Sequence, residues 1–144
     1  MSITVNRTYA EEFASLLDAA LPELGVAGRP DTPALEQRRC FSFQVPCPSA
    51  AVTSPLSISV TQSEITVAFL SVRSRLTNPH EAVALIRELI EETVIVETWY
   101  GPSSRDCAFA NVNASPSGPM KVPGVTRIVR QSWRGTCDAD ENVA

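Results

Sequence analysis

Residues 56–100 constrain the chain more than any other stretch, because LSISVTQSEITVAFLSVRSRLTNPHEAVALIRELIEETVIVETWY changes its apolar period twice along its length. Leu56, Ile58 and Val60 alternate with Ser57, Ser59 and Thr61, which predicts a strand with one wet face. Gln62, Ser63 and Glu64 form a polar turn. Ile65, Val67 and Phe69 then resume the alternation, with Ala68, Leu70 and Val72 apolar on the opposite side. That pattern predicts one central strand covered on much of both faces and leaving the core at Arg73 and Arg75.

The period changes at Asn78, which is placed to cap a helix that opens with Pro79 and carries Glu81 near its positive end. Ala82, Leu85, Ile86, Leu89 and Ile90 recur three and four residues apart, while Arg87, Glu88, Glu91 and Glu92 occupy the other side. The β-branched run Thr93, Val94, Ile95, Val96 then turns the preference back to strand.

The flanks add shorter elements. Thr8 and Glu11 make a capping box for a helix with Tyr9, Phe13, Leu16, Leu17 and Ala20 on one stripe, ended by Pro22 and Gly25. Residues 28–33, GRPDTP, read as a connector. Phe41, Phe43 and Val45 share one face of a strand over 40–45 that Pro46 and Pro48 stop. Gly101-Pro102-Ser103-Ser104 is a turn signal, followed by a strand over 106–113 with Cys107, Phe109 and Asn111 on one face. Residues 114–124 hold three prolines and two glycines and predict a long loop. A last strand spans 125–134, with Val125, Val129 and Trp133 inward, Arg127 and Gln131 interrupting them, and Ile128 on the other face.

The expected order is therefore α-β-β-β-α-β-β-β. Short connections favour an α+β, two-layer arrangement in which an antiparallel sheet of about six strands carries two helices. A chain of 144 residues suits a single domain over 1–137 with an acidic, flexible tail over 138–144.

Charge and motif content narrow the function classes. A net charge of −4 and a pI near 5.0 argue against a nucleic-acid partner, whose binding rests on neutralising phosphates. No apolar run approaches the roughly 20 residues that span a bilayer, and the N-terminus lacks a secretory pattern, so no membrane partner and a cytoplasmic location are expected. Cys40, Cys47, Cys107 and Cys137 lack paired zinc spacing. Free thiols are expected, with Cys40–Cys47 and Cys107–Cys137 as the bridges to consider. Nucleophile-elbow, phosphate-loop and dinucleotide patterns are absent, and the single histidine, His80, has no nucleophile placed beside it by a motif. No catalytic residue, metal site or cofactor is expected.

Two constellations stand out as candidate contact surfaces. Glu88, Glu91, Glu92 and Glu97 are expected to face solvent opposite the apolar stripe, forming an ordinary solvated face or an acidic docking face for a basic partner. Arg73, Arg75, Arg105, Arg127, Arg130 and Arg134, with Trp99, Tyr100 and Trp133, are the residue types that supply interface hot spots. Arginines that merely end strands explain the same set more plainly.

Residues 65–101, ITVAFLSVRSRLTNPHEAVALIRELIEETVIVETWYG, resemble the strand, capped helix, strand and Trp-bearing turn of small bacterial immunity proteins that accompany polymorphic toxins. The histidines that some of these families carry at the strand-to-helix connection are missing from 72–76. The resemblance implies a non-enzymatic inhibitor that masks a cognate toxin, and an acidic inhibitor would suit a basic, nuclease-like toxin. The alternatives are a small-molecule or anion-binding enzyme using Arg73, Arg75 and Arg127, and a chaperone-like homodimer formed through a sheet face.

Overall fold

The computed structural model describes residues 9–24, 41–49, 54–113 and 122–142. Helix α1 (Tyr9–Ala20) buries Ala10, Phe13, Ala14 and Leu17 and runs into a 3₁₀ turn at Pro22–Leu24. Thr8, Gly25, the 28–33 connector, Cys40 and residues 114–121 of the proline-rich loop lie outside the described residues.

Helix α2 (Pro79–Ile90) starts as its sequence predicts. The Asn78 side chain, with extended backbone, accepts the N–H groups of His80 at 2.9 Å and Glu81 at 3.4 Å. Two orphan donors of the first turn are thereby satisfied. Ala82, Val83, Ile86, Leu89 and Ile90 are buried, which turns the apolar stripe toward α1 and the sheets. The helices are also tied by polar bonds. The Tyr9 hydroxyl donates to the Thr77 carbonyl at 2.7 Å, and Arg87 Nη2 donates to the Ala20 carbonyl at 3.5 Å, at the negative end of α1.

Strands β1 (Phe41–Val45), β2 (Leu56–Val60), β3 (Ile65–Phe69) and β4 (Val72–Leu76) form an antiparallel meander in chain order. Phe43, Val45, Leu56, Ile58, Val60, Ile65, Val67 and Phe69 are buried in the core with the helices. The predicted single strand from Ile65 to Arg75 is two strands joined by a turn at Leu70 and Ser71, with Phe69 paired to Val72 and Leu70 at φ 56°. This non-glycine residue in the left-handed region reverses the chain where no Gly, Asn, Asp or Pro announces a turn. The outer face of the sheet is open, not covered as the apolar residues on it predicted. Its cross-strand rows run Ser42–Ser59–Thr66–Arg75 and Gln44–Ser57–Ala68–Arg73, with Ser42, Gln44, Ser59, Arg73 and Arg75 exposed.

The second sheet comprises β5 (Val94–Tyr100), β6 (Arg105–Asn111), β7 (Arg127–Gln131) and β8 (Ala139–Asn142), in the order β6-β5-β7-β8 and antiparallel throughout. The fold is α+β, with two four-stranded sheets where one of about six strands was expected. Residues 139–142, read from sequence as part of a loose tail, form the edge strand β8, and residues 143–144 lie outside the described part. Strands β4 and β6 approach each other without a ladder, and Cys107 Sγ donates across the gap to the Ser71 carbonyl at 3.5 Å.

The two sheets meet in one core. Val96 and Trp133 join the helix stripes and the inner face of the first sheet, and the Trp133 ring meets Phe69 edge-on at 5.4 Å. Ile95, Trp99 and Ile128 are buried on the other face of the second sheet, where Trp99 and Ile128 are direct cross-strand partners. Replacing Asn78 with Ala is expected to lower unfolding stability by about 1 kcal/mol through loss of the cap. Ile86→Ala, which empties a site with no exposure, should lower it by roughly 2–5 kcal/mol. Equilibrium urea unfolding checks both, and equal losses would contradict this ranking.

Candidate functional site

The four carboxylates expected to share one outer face are divided by the fold. Glu88 and Glu91 are exposed on α2. Glu97 and Glu92 are buried and bonded inward, so neither belongs to an acidic docking face.

Glu97 sits mid-strand in β5, directly across from Arg130 in β7. Arg130 Nη2 lies 3.0 Å and Nε 3.1 Å from Glu97 Oε2, and Trp99 Nε1 donates to Oε1 at 2.5 Å. Arg130 Nη1 donates to the Val112 carbonyl at 3.4 Å. Side-chain exposures of 3% for Glu97 and 16% for Arg130 place the pair away from bulk water. Both carboxylate oxygens are used, which is what makes burial of the charge tolerable. Alternation along β5 puts Ile95, Glu97 and Trp99 on one face, so the charge lies between two apolar residues. Trp99 is therefore a packed residue holding Glu97, not the surface anchor that its type suggested.

Glu92 ends α2. The Thr93 N–H bonds the Glu88 carbonyl at 3.0 Å and the Glu92 N–H bonds the Leu89 carbonyl at 3.2 Å, the paired bonds of a Schellman cap. The left-handed position of that cap, φ 62°, normally goes to glycine and here holds Glu92. Its side chain reaches the loop between β7 and β8, where Oε2 accepts the Thr136 N–H at 3.3 Å. Burial pushes the Glu92 carboxyl up, but hydrogen bonds from the Ser132 and Thr136 side chains and from the Thr136 and Arg134 backbone outweigh it and hold the group below the ordinary carboxylate range. Asp138 closes the same loop by accepting the Ser132 N–H at 2.8 Å, and Ser132 Oγ accepts from the Cys137 N–H at 2.9 Å. Cys47 Sγ donates to the Trp133 carbonyl at 3.1 Å from the far side. Trp133 is thus a core residue carried by a clasped loop, inward as the alternation of the last strand predicts and not part of a contact surface.

The arginines also separate. Arg73 and Arg75 stand exposed on the open face of the first sheet, where Arg75 Nε lies 3.8 Å from Glu64. Arg134 is exposed in the clasped loop. Arg105, Tyr100 and Arg127 fall in one cross-strand row on β6, β5 and β7. The Arg127 guanidinium lies 5.1 Å from the centre of the Tyr100 ring and grips Asp140 with Nε at 2.9 Å and Nη2 at 2.6 Å. Those bonds raise the Arg127 pKa further and hold the Asp140 carboxyl below its ordinary value. The turn beside Tyr100 is closely packed and requires glycine, because a Cβ on Gly101 would meet Val122 Cγ1 at 2.8 Å and the Pro123 carbonyl at 2.9 Å. Register reveals this row, whereas the sequence shows only scattered basic residues.

Cys47, Cys107 and Cys137 are free, so Cys107 and Cys137 are not bridged. Burial pushes the Cys107 thiol up, which leaves it a poor nucleophile. Among the described residues no group of three or more His, Cys, Asp and Glu is placed to hold a metal, and no helix is long and apolar enough to cross a membrane. A shallow, open depression of about 330 Å³ lies between β7 and β8, lined by Val129, Arg130, Gln131, Asp138, Ala139 and Asp140.

Arg130→Met leaves Glu97 without its counter-charge and is expected to cost about 3–5 kcal/mol, while adding Glu97→Gln to it should recover part of that loss. A urea-unfolding double-mutant cycle measures the coupling, and additive losses would show the two charges to be independent. For Glu92 the sign follows from its lowered pKa: its contribution is full above the unfolded-state pKa and lost as pH falls through the folded one. Glu92→Gln should flatten the decline in stability between about pH 5 and pH 3. An unchanged slope would assign that decline to other carboxylates. No protein-family model, curated protein or solved structure significantly matches this chain.

Proposed function

We propose that this chain is a non-enzymatic binding protein that neutralises a bacterial toxin by direct contact, as the small immunity proteins it resembles do. The observation that carries this reading is how its ionisable groups are used. Glu92, Glu97 and Arg130 point inward and are bonded to structural partners. Arg73, Arg105 and Arg134 point outward from separate surfaces, and Glu88 and Glu91 face solvent on α2. That division suits a rigid body recognised from outside. Anion chemistry at Arg73, Arg75 and Arg127 has less support, because Arg127 belongs to the other sheet and is already gripped by Asp140.

The test is co-expression with the product of the adjacent gene, followed by purification through a tag on one chain and by growth of cells producing the partner. A stable complex and rescued growth are expected. Recovery of this chain alone, together with no protection, would remove the reading. A mass that doubles with concentration in the absence of any partner would instead favour the homodimer.

A further inference from the structure

We propose that the row Arg105–Tyr100–Arg127 at the outer end of the second sheet is the centre of the contact surface, and that it receives a carboxylate presented by a protein partner. The inference rests on the binding reading above and adds to it a location and a partner chemistry.

Three observations single out this row. Register places Arg105 and Arg127 on the strands either side of Tyr100 and on its face of the sheet, so two arginines flank one tyrosine at neighbouring strand positions. Arg127 is oriented before any partner arrives, its guanidinium 5.1 Å from the centre of the Tyr100 ring and bonded through two nitrogens to Asp140. The chain beside Tyr100 is fixed as well, because Thr126 N–H bonds the Tyr100 carbonyl at 2.8 Å and Gly101 packs against Val122 and Pro123. Side chains ordered in advance lose less entropy on binding than free ones do. Arg73 and Arg75, on the open face of the first sheet, have only small cross-strand neighbours, and no aromatic ring lies in their rows.

The charge on the row selects the occupant. Asp140 neutralises Arg127, whereas Arg105 is exposed and forms no ion pair among the described residues, so the row carries a net positive charge with Tyr100 as the direct cross-strand partner of Arg105. Arginine and tyrosine together match a carboxylate through charge-assisted hydrogen bonds. A nucleic acid would bring many phosphates against a chain of net charge −4, whereas a protein surface brings one or two carboxylates to the row alone.

The probe is a short oligo-glutamate peptide, titrated at low ionic strength against the full chain and two charge-reversal variants, with circular dichroism to confirm that each folds. Binding by the wild type is expected, together with a loss of roughly tenfold in Arg105→Glu, the scale of one charged hydrogen bond. Arg73→Glu, carrying the same change in net charge on the first sheet, should lose less than about twofold. No binding, equal losses in the two variants, or tighter binding of single-stranded DNA than of the peptide would each overturn the proposal. Complex formation with the neighbouring gene product that survives Arg105→Glu unweakened would also overturn it while leaving the proposed function standing. Failure to find any such complex would strike the proposed function and leave the peptide result to be judged alone.

Discussion

Helix α2 is the constraint on which the remainder depends, because it touches β3 and β4 of the first sheet and β5 of the second. Its inner residues Ala82, Ile86 and Leu89 have almost no exposure and belong to the same core as Phe69, Val96 and Trp133. Two sheets that each turn an apolar face to the common core need a shared layer, and one helix with a continuous stripe supplies it. Caps at both ends fix its length. Asn78 satisfies the first turn and the bonds from Glu92 and Thr93 the last, with β4 ending and β5 starting within two residues of those caps.

Charge within this frame follows position more than residue type. The same residue, glutamate, is solvated at Glu88, forms a loop clasp at Glu92 and belongs to a buried ion pair at Glu97. Arginine divides likewise, with Arg130 largely buried and paired, Arg127 stacked and Arg73 exposed to solvent. A buried ion pair is weak evidence of added stability, since desolvation offsets much of the attraction. Its stronger effect is on register: Glu97 and Arg130 are direct partners across β5 and β7, and a one-residue slip would turn either charge to the opposite face without its partner.

How much of this was legible in the sequence depended on how local the determining contacts are. The second helix was readable because Asn78, Pro79 and the spacing of Ile86, Leu89 and Ile90 all act within a few turns. The break at Leu70 was not, because a residue without turn preference adopts positive φ only when pairing on both sides demands it. The strand at 139–142 was hidden by its acidic, weakly β-forming residues. Pairing with β7 along one edge sustains it, and charged residues suit an edge strand that must not recruit another chain. Burial of Glu97 depends on Arg130, thirty-three positions away, and helical spacing carries no information about such a partner.

The left-handed glutamate at the end of α2 joins a helix terminus to a loop more than forty positions away. With glycine at this position, the final turn of the helix could fray while the distant loop stayed shut. Glu92 supplies both the reversal of the helix and the acceptor for Thr136, so the bond to the loop helps to offset the cost of the left-handed backbone. Fraying of the last turn would break the bond to Thr136 and so remove one of the ties on the loop that carries Trp133.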